Sequence, residues 1–213
     1  MFDLTLTFDN GPDPEATPLV LDTLKQRRIR STFFVIGKRL EVHRALTERA
    51  AAEGHWVGNH TYTHSGPLGA RRAPGLAESE IGQTQKLIGP LAHPHRYFRP
   101  QGGGGKRGPH LLSADAVDFL TRGNYTCVLW NSIPRDWDDP DGWVDRALAH
   151  CAQQPWTLMV LHDIASGAMR HLDRFLDQVA EKGGRLRQDF PPDCVPMADG
   201  IATGDFARYV SDK

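Results

Sequence analysis

The feature of this sequence that most constrains its fold is a regular alternation of short apolar segments with longer segments of helical period. The short, β-branched segments predict strands at residues 4–8, 32–36, 56–59, 97–99, 126–130 and 158–161, with a weaker one near Arg185. The longer segments carry apolar residues at three- and four-residue spacing and predict helices at residues 14–28, 39–53, 77–91, 111–122, 141–153 and 168–182. This alternation is typical of a parallel α/β fold.

The length of the chain indicates one domain. With 213 residues and 39% hydrophobic content, the chain can bury one sizeable core and is short for two. We expect residues 1–190 to form the domain and residues 191–213, which are Pro-rich and irregular, to form a closing tail.

Composition excludes several classes of function. The formal net charge is -1 and no long Lys or Arg run occurs, which argues against a nucleic-acid partner. No apolar run approaches bilayer length, so we expect no membrane partner. The N-terminus lacks a signal-peptide pattern, and three distant cysteines without a C-x-x-C pair suggest free thiols, which together predict a cytoplasmic protein. Oligomeric state stays open.

Polar residues collect where the predicted strands end. The carboxyl ends of parallel strands meet at one mouth of a barrel, so side chains distant in sequence can form one site there. The polar residues that follow strands are Asp9, Asn10, His60, Arg99, Asp136, His162 and Asp163. The loops 65–74 and 102–109, rich in Gly or Pro, follow strands and lie at the same rim.

One histidine pair has the spacing of metal ligands. His60 and His64 follow the third predicted strand, and four-residue spacing would put both imidazoles on one helical face, where they could share a zinc ion. The histidines at 43, 93, 95 and 171 lack such placement, and we expect structural or surface roles for them.

Five segments, in order, resemble the motifs of the polysaccharide deacetylases, also called the NodB-like family. Residues 7–12 (TFDNGP) resemble the T-F-D-D-G-P motif, and residues 60–64 (HTYTH) resemble the H-[ST]-x-x-H metal motif. Residues 98–100 (FRP), followed by Gly103, resemble R-P-P-Y-G, while Trp130 with residues 136–137 (DW), and then residues 160–163 (VLHD), resemble the last two motifs. The resemblance spans residues 7–163 and implies a single-domain α/β fold, a distorted (β/α)7-type barrel.

The resemblance also implies a catalytic set. Asp9 would be the general base, and His162 would be the general acid that protonates the departing nitrogen. Asp136 would keep His162 charged, and Arg99 would fix Asp9.

The implied cofactor is a divalent metal, zinc by the family pattern, held by His60, His64 and position 10. This chain has Asn10 where the family has aspartate, and a neutral amide oxygen is a poorer ligand. Three interpretations stay open: a weaker working metal site, a protein that no longer hydrolyses, or a substitution made during cloning to trap a complex. Because Gly11 follows Asn10, deamidation could also restore a carboxylate.

The implied substrate site departs from the family in two places. A backbone N–H at Gly102, where the family has tyrosine, would meet the oxyanion, and Trp137 and Val160 would line the slot for the acetyl methyl. The glycines from 102 to 105 replace Pro-Tyr-Gly, so we expect a loop without an aromatic wall. Ile133 replaces an acidic residue of the fourth motif.

Three hypotheses for function follow. The first is a metal-dependent amide hydrolase, an N-deacetylase acting on an N-acetylated sugar, an oligosaccharide or another small amide. The second is a metal-independent carbon–nitrogen hydrolase of a cyclic amide or ureide, favoured by Asn10 and disfavoured by the intact His60 and His64 pair. The third is a catalytically degenerate barrel that binds a saccharide or a partner, which the retention of both an acid and a base disfavours.

Overall fold

The first strand, β1 (Phe2–Asp9), pairs with three other strands and is covered on both faces. A computed structural model describes residues 1–212. Leu4, Leu6 and Phe8 point to the helical layer and are fully buried. Strand side chains alternate between faces, so Thr7 and Asp9 point the other way, into the barrel. β1 therefore carries its apolar face outward to the helices and its polar face inward.

The remaining strands are arranged around β1 as a curled, mostly parallel sheet in the order β6-β1-β2-β3-β4-β5-β8-β9. β7 pairs with the first half of β1, from Phe2 to Thr5. The shorter β2 pairs with the second half of β1, from Thr7 to Asp9. β8 and β9 form an antiparallel hairpin beyond β5. The bounds are β2 (Thr32–Val35), β3 (Trp56–Asn59), β4 (Tyr97–Phe98), β5 (Thr126–Cys127), β6 (Trp156–His162), β7 (Gly184–Arg187), β8 (Met197–Ala198) and β9 (Ile201–Ala202).

Helices alternate with these strands, as the pattern of apolar residues predicted. Their bounds are α1 (Ala16–Gln26), α2 (Gly37–Ala52), α3 (Gln83–Ile88), α4 (Ala114–Arg122), α5 (Trp143–Ala152) and α6 (Leu172–Glu181). None of the helices within residues 1–212 has the length and apolar character that a membrane crossing needs.

The helix predicted at 77–91 is divided in the structure. A π-helical turn at Glu78–Gly82 precedes α3, and a 3-10 turn at Gly89–Leu91 follows it. Gly89 has φ +53° and is followed by Pro90, a pair that stops an α-helix. The π-helical turn directs Glu80, which is 2% exposed, into the protein.

The strand predicted at 126–130 ends early because a buried side chain occupies the carbonyl groups that a strand would use. The backbone carbonyls of Val128 and Leu129 accept hydrogen bonds from the Arg99 guanidinium, at 3.1 and 3.0 Å. The Leu129 N–H donates instead to the Cys194 carbonyl. The chain then approaches β6 through an isolated bridge between Ser132 and Met159. The sheet is thus a distorted barrel, which confirms the predicted single-domain α/β fold class.

The C-terminal residues pack on the barrel interior side. Cys194, Met197, Phe206 and Tyr209 are buried in one cluster with Leu112 and its neighbours. The boundary between residues 190 and 191 stays a prediction, and the last residue of the predicted tail, Lys213, lies outside the described residues.

Candidate active site

Two titratable side chains lie side by side where β1 and β6 end. The register of these parallel strands pairs Asp9 with His162, so both side chains open to the same mouth of the barrel. A cavity of about 230 Å³ lies above them. Its lining includes the predicted residues Asp9, Asn10, His60, His64, Gly102, Trp137, Val160 and His162. Arg99 and Asp136 lie behind this lining and act on it through other residues.

Arg99 is the fully buried anchor of the site. One guanidinium nitrogen, Nη1, donates to Asp9 Oδ1 at 2.8 Å and to Thr7 Oγ1 at 2.7 Å. The guanidinium plane lies 4.0 Å from the centre of the Phe34 ring. Together with the two carbonyl acceptors after β5, these contacts give partners to four of its five N–H donors, an arrangement that a lysine could not reproduce.

Asp9 is held as a carboxylate. Burial has the largest single effect and would raise its pKa, but the combined effect of the neighbouring groups, Arg99 foremost, outweighs burial, and the pKa lies below its usual value. Arg99 occupies Oδ1, while Oδ2 faces His60 Nε2 at 3.6 Å. The second carboxylate oxygen is therefore the one available to accept a proton.

His162 is held in the opposite state. Burial has the largest single effect and would lower its pKa, but Asp136, Asp9 and Asp163 together outweigh burial, so the pKa is raised. Asp136 accepts from His162 Nδ1 at 2.9 Å and from the His162 backbone N–H at 2.8 Å. The edge of Trp137 packs on the imidazole, with ring centres 4.6 Å apart. Nε2 is the ring nitrogen left for a substrate.

The prediction that His60 and His64 share one face of a helix is wrong. Residues 60–64 form a turn, in which Thr61 and His64 have φ of +67° and +53°. The turn nevertheless brings the two rings to a centre-to-centre distance of 4.8 Å. His60 directly follows β3. The reversal of the chain after it, rather than a helical repeat, brings His64 close to His60.

Glu80 fixes the shape of that turn. Its carboxylate accepts from the backbone N–H groups of Tyr62 and Thr63 at 3.0 and 2.8 Å, from Thr63 Oγ1, and from Arg71 Nη1. Sequence analysis missed this residue. The available signal was a carboxylate within the apolar stripe of the segment 77–88, which also contains Ile81.

The donor atoms at the mouth fit a divalent metal. His60 Nδ1 lies 2.8 Å from the Arg99 carbonyl, to which only a protonated nitrogen can donate, so Nε2 is left with its lone pair toward the cavity. Burial lowers the pKa of His64 to about 3, which keeps its imidazole neutral. Asn10 Oδ1 is buried and has no hydrogen-bond partner, which is costly unless something absent here satisfies it.

Two imidazoles and an amide oxygen form this donor set. Within residues 1–212 no cluster of three or more His, Cys, Asp or Glu side chains has the arrangement of a metal site. Asn10 is not one of those four residue types, so a site that includes its amide oxygen is not of that kind.

The glycine-rich loop supplies no aromatic side chain of its own, as expected, but an aromatic ring from another segment lies behind it. Gly102 lies against Trp130, which lines the cavity, and a Cβ at position 102 would come within 2.6 Å of that ring. Trp130 Nε1 donates to the Gly105 carbonyl at 3.0 Å. The aromatic surface comes from the segment after β5 rather than from the loop itself.

Sequence comparison places these observations in a family. The polysaccharide deacetylase profile matches residues 3–116, more than half of the chain. A chitooligosaccharide deacetylase of Bradyrhizobium sp. is 36% identical over 163 residues, which cover 74% of this chain and 69% of that protein. This chain belongs to the polysaccharide deacetylase family.

Two further similarities agree with membership in this hydrolase family. A peptidoglycan-N-acetylglucosamine deacetylase of Bacillus cereus is 30% identical over 191 residues, which cover 86% of this chain and 66% of that protein. The crystal structure of a peptidoglycan N-acetylglucosamine deacetylase in complex with a substituted N-hydroxybenzamide has a TM-score of 0.75 at 28% identity, covering 92% of this chain and 89% of that chain.

Asp163, the last residue of the fifth deacetylase motif, lies in an environment that the sequence did not reveal. It is buried and its pKa is raised to about 7 by burial. Thr17 Oγ1 donates to its Oδ2, and Oδ1 has no partner. A side chain at position 11 would collide with this carboxyl group, which explains Gly11 in the first deacetylase motif.

The histidines outside the deacetylase motifs do not line the cavity. His93 and His95 stack with each other and with Tyr97, and His95 contacts Asp199. His171 pairs with Asp141 on the surface.

We predict that Arg99→Met lowers the free energy of unfolding by about 3–5 kcal/mol, because it leaves the Asp9 charge buried without its partner. Urea unfolding in EDTA measures the change. The double variant Arg99→Met with Asp9→Asn should recover part of the loss, since the amide carries no charge. A double variant as unstable as the single one would contradict this explanation.

Proposed function

We propose that this chain is a metal-dependent N-deacetylase of an N-acetylated sugar or oligosaccharide, with Asp9 as base and His162 as acid. The observation that carries the proposal is their pairing across β1 and β6, with pKa values displaced in opposite directions. Environments that separate two titratable groups in this way assign acid and base roles.

Asp9 accepts the proton of the attacking water. Its Oδ1 is occupied by Arg99, so the proton goes to Oδ2, which faces His60. Arg99 keeps the carboxylate ionised in a buried place, where an unpaired carboxyl would otherwise be protonated.

His162 donates a proton from Nε2 to the departing nitrogen. Asp136 holds Nδ1 and stabilises the imidazolium, and Trp137 fixes the plane of the ring. The amine can leave as a neutral group only after this transfer.

His60, His64 and Asn10 would hold the metal. A bound zinc ion supplies Lewis acidity, which polarises the amide carbonyl and acidifies water. The buried, unpartnered Asn10 Oδ1 supports this assignment from the chain's own atoms. The metal and its identity are part of the proposal.

The rest of the cavity fits a small acyl group. Trp137, Val160 and Ile133 give it apolar lining, and Gly102 borders it with backbone alone. A backbone N–H there is suited to an oxyanion, and the apolar lining to a methyl group. The relatives named above act on peptidoglycan N-acetylglucosamine and on chitooligosaccharides, which supports an N-acetylated saccharide here. A cytoplasmic location stays a prediction.

We predict that Asp9→Asn lowers kcat for acetate release from an N-acetylated chitooligosaccharide by about 10²–10⁴-fold, because the base is lost. Acetate is measured in a coupled assay on zinc-loaded protein, and zinc content is measured in parallel. The matched control is Asp22→Asn, which changes an exposed carboxylate on α1 paired with Arg49. Full activity in Asp9→Asn would remove Asp9 as the base, and absence of turnover in the unmodified protein would favour a binding barrel.

We predict that Asp136→Asn shifts the basic limb of the kcat/KM profile to lower pH. The acid must be protonated, so activity is lost as pH rises through the raised pKa of His162. Without Asp136 the lowering by burial dominates, although Asp9 and Asp163 still face the ring. Asp145→Asn, an exposed change on α5, is the control. A basic limb that stays in place would refute His162 as the acid.

We predict that Asn10→Asp tightens zinc binding about tenfold or more, because a carboxylate adds a charge and a better ligand. Competition with a chromophoric chelator measures the dissociation constant. Asn124→Asp is a matched control, since Asn124 also has positive φ, +53°, and lies on the surface. Equal affinities for Asn10→Asp and the unmodified protein would place the metal elsewhere, and turnover that is insensitive to chelation would favour the metal-independent hydrolase.

A further inference from the structure

A second pocket of about 370 Å³ lies next to the catalytic cavity. The two share Gly104, Gly105, Trp130 and Ile133 in their linings, so they lie side by side along this segment of the rim. This second pocket is called the adjoining pocket below.

Cations dominate the adjoining pocket. Lys106, Arg107 and Arg135 line it, and no Asp or Glu does. Arg135 pairs with Asp138 at 3.0 Å, whereas Lys106 and Arg107 form no ion pair within residues 1–212. Unneutralised cations facing one concave surface produce a positive potential there.

The backbone that presents these cations is anchored to the wall of the catalytic cavity. Gly103, Gly104 and Gly105 all have positive φ, from +57° to +87°, and the two ends of the loop lie against this wall, Gly102 on Trp130 and Gly105 on Ile133. The hydrogen bond from Trp130 Nε1 to the Gly105 carbonyl fixes the residue just before Lys106. The cations are therefore placed next to the reaction centre by a built loop.

We propose that the adjoining pocket binds an anionic group carried by the N-acetylated substrate, so that this enzyme selects acidic saccharides. The proposal rests on the proposed function and adds the charge of the substrate. A neutral sugar chain would leave Lys106 and Arg107 without partners, while an oxyanion suits their donors. A carboxylate and a phosphate share this chemistry.

The test compares three N-acetylated sugars of similar size: a neutral one, one with a lactyl carboxylate and one with a phosphate monoester. Dissociation constants are measured by calorimetry, and kcat/KM by acetate release, on zinc-loaded protein. We expect the anionic sugars to be favoured about tenfold at low salt, with the preference shrinking in about 1 M salt. The stronger of the two anionic sugars identifies the acidic group.

The variant Lys106→Gln with Arg107→Gln should bring the ratio of anionic to neutral sugar close to one. Lys182→Gln with Arg174→Gln is the matched control, since it removes the same charge from exposed positions on and after α6 and should keep the ratio. Equal affinity for all three sugars, or a preference that survives loss of Lys106 and Arg107, would overturn the proposal. Preferential binding without turnover would overturn the proposed function and leave the anionic pocket standing.

Discussion

The buried ion pair between Arg99 and Asp9 is the interaction on which the rest of the site depends. Arg99 reaches from the end of β4 to β1 and to the segment after β5, so one guanidinium joins three parts of the sheet. The same contacts keep Asp9 charged and end β5 early. A distortion of the barrel and the ionisation of its base therefore have one cause.

The acid and the base are kept apart by what lies behind each of them. Arg99 stands behind Asp9, and Asp136 stands behind His162, so each cavity-facing group has a buried partner of opposite charge. Because burial opposes ionisation at both places, neither state would persist without its partner. The ionisation states of Asp9 and His162 are thus set by the buried residues behind them.

The sequence predicted the alternation of strands and helices, and the ends of strands at which polar residues collect. It could not predict the turn at residues 60–64, because spacing alone does not distinguish a helical face from a reversal built on two positive φ angles. Glu80 was missed because its role depends on a π-helical turn, and the Trp130 ring behind the loop was missed because it comes from the segment after β5. The order of the family's motifs, by contrast, predicted two contacts between residues distant in sequence, Arg99 with Asp9 and Asp136 with His162.

The contacts of the carboxyl-terminal residues with β5 and the segment after it have a consequence for the site. The Leu129 carbonyl accepts a hydrogen bond from Arg99, and the Leu129 N–H donates to the Cys194 carbonyl. Met197 of β8 pairs with Cys127 of β5. The carboxyl-terminal segment thus holds in place the peptide groups whose carbonyls accept hydrogen bonds from the Arg99 guanidinium. Its contacts therefore bear on the catalytic residues indirectly, since none of the side chains within residues 191–212 lines the catalytic cavity.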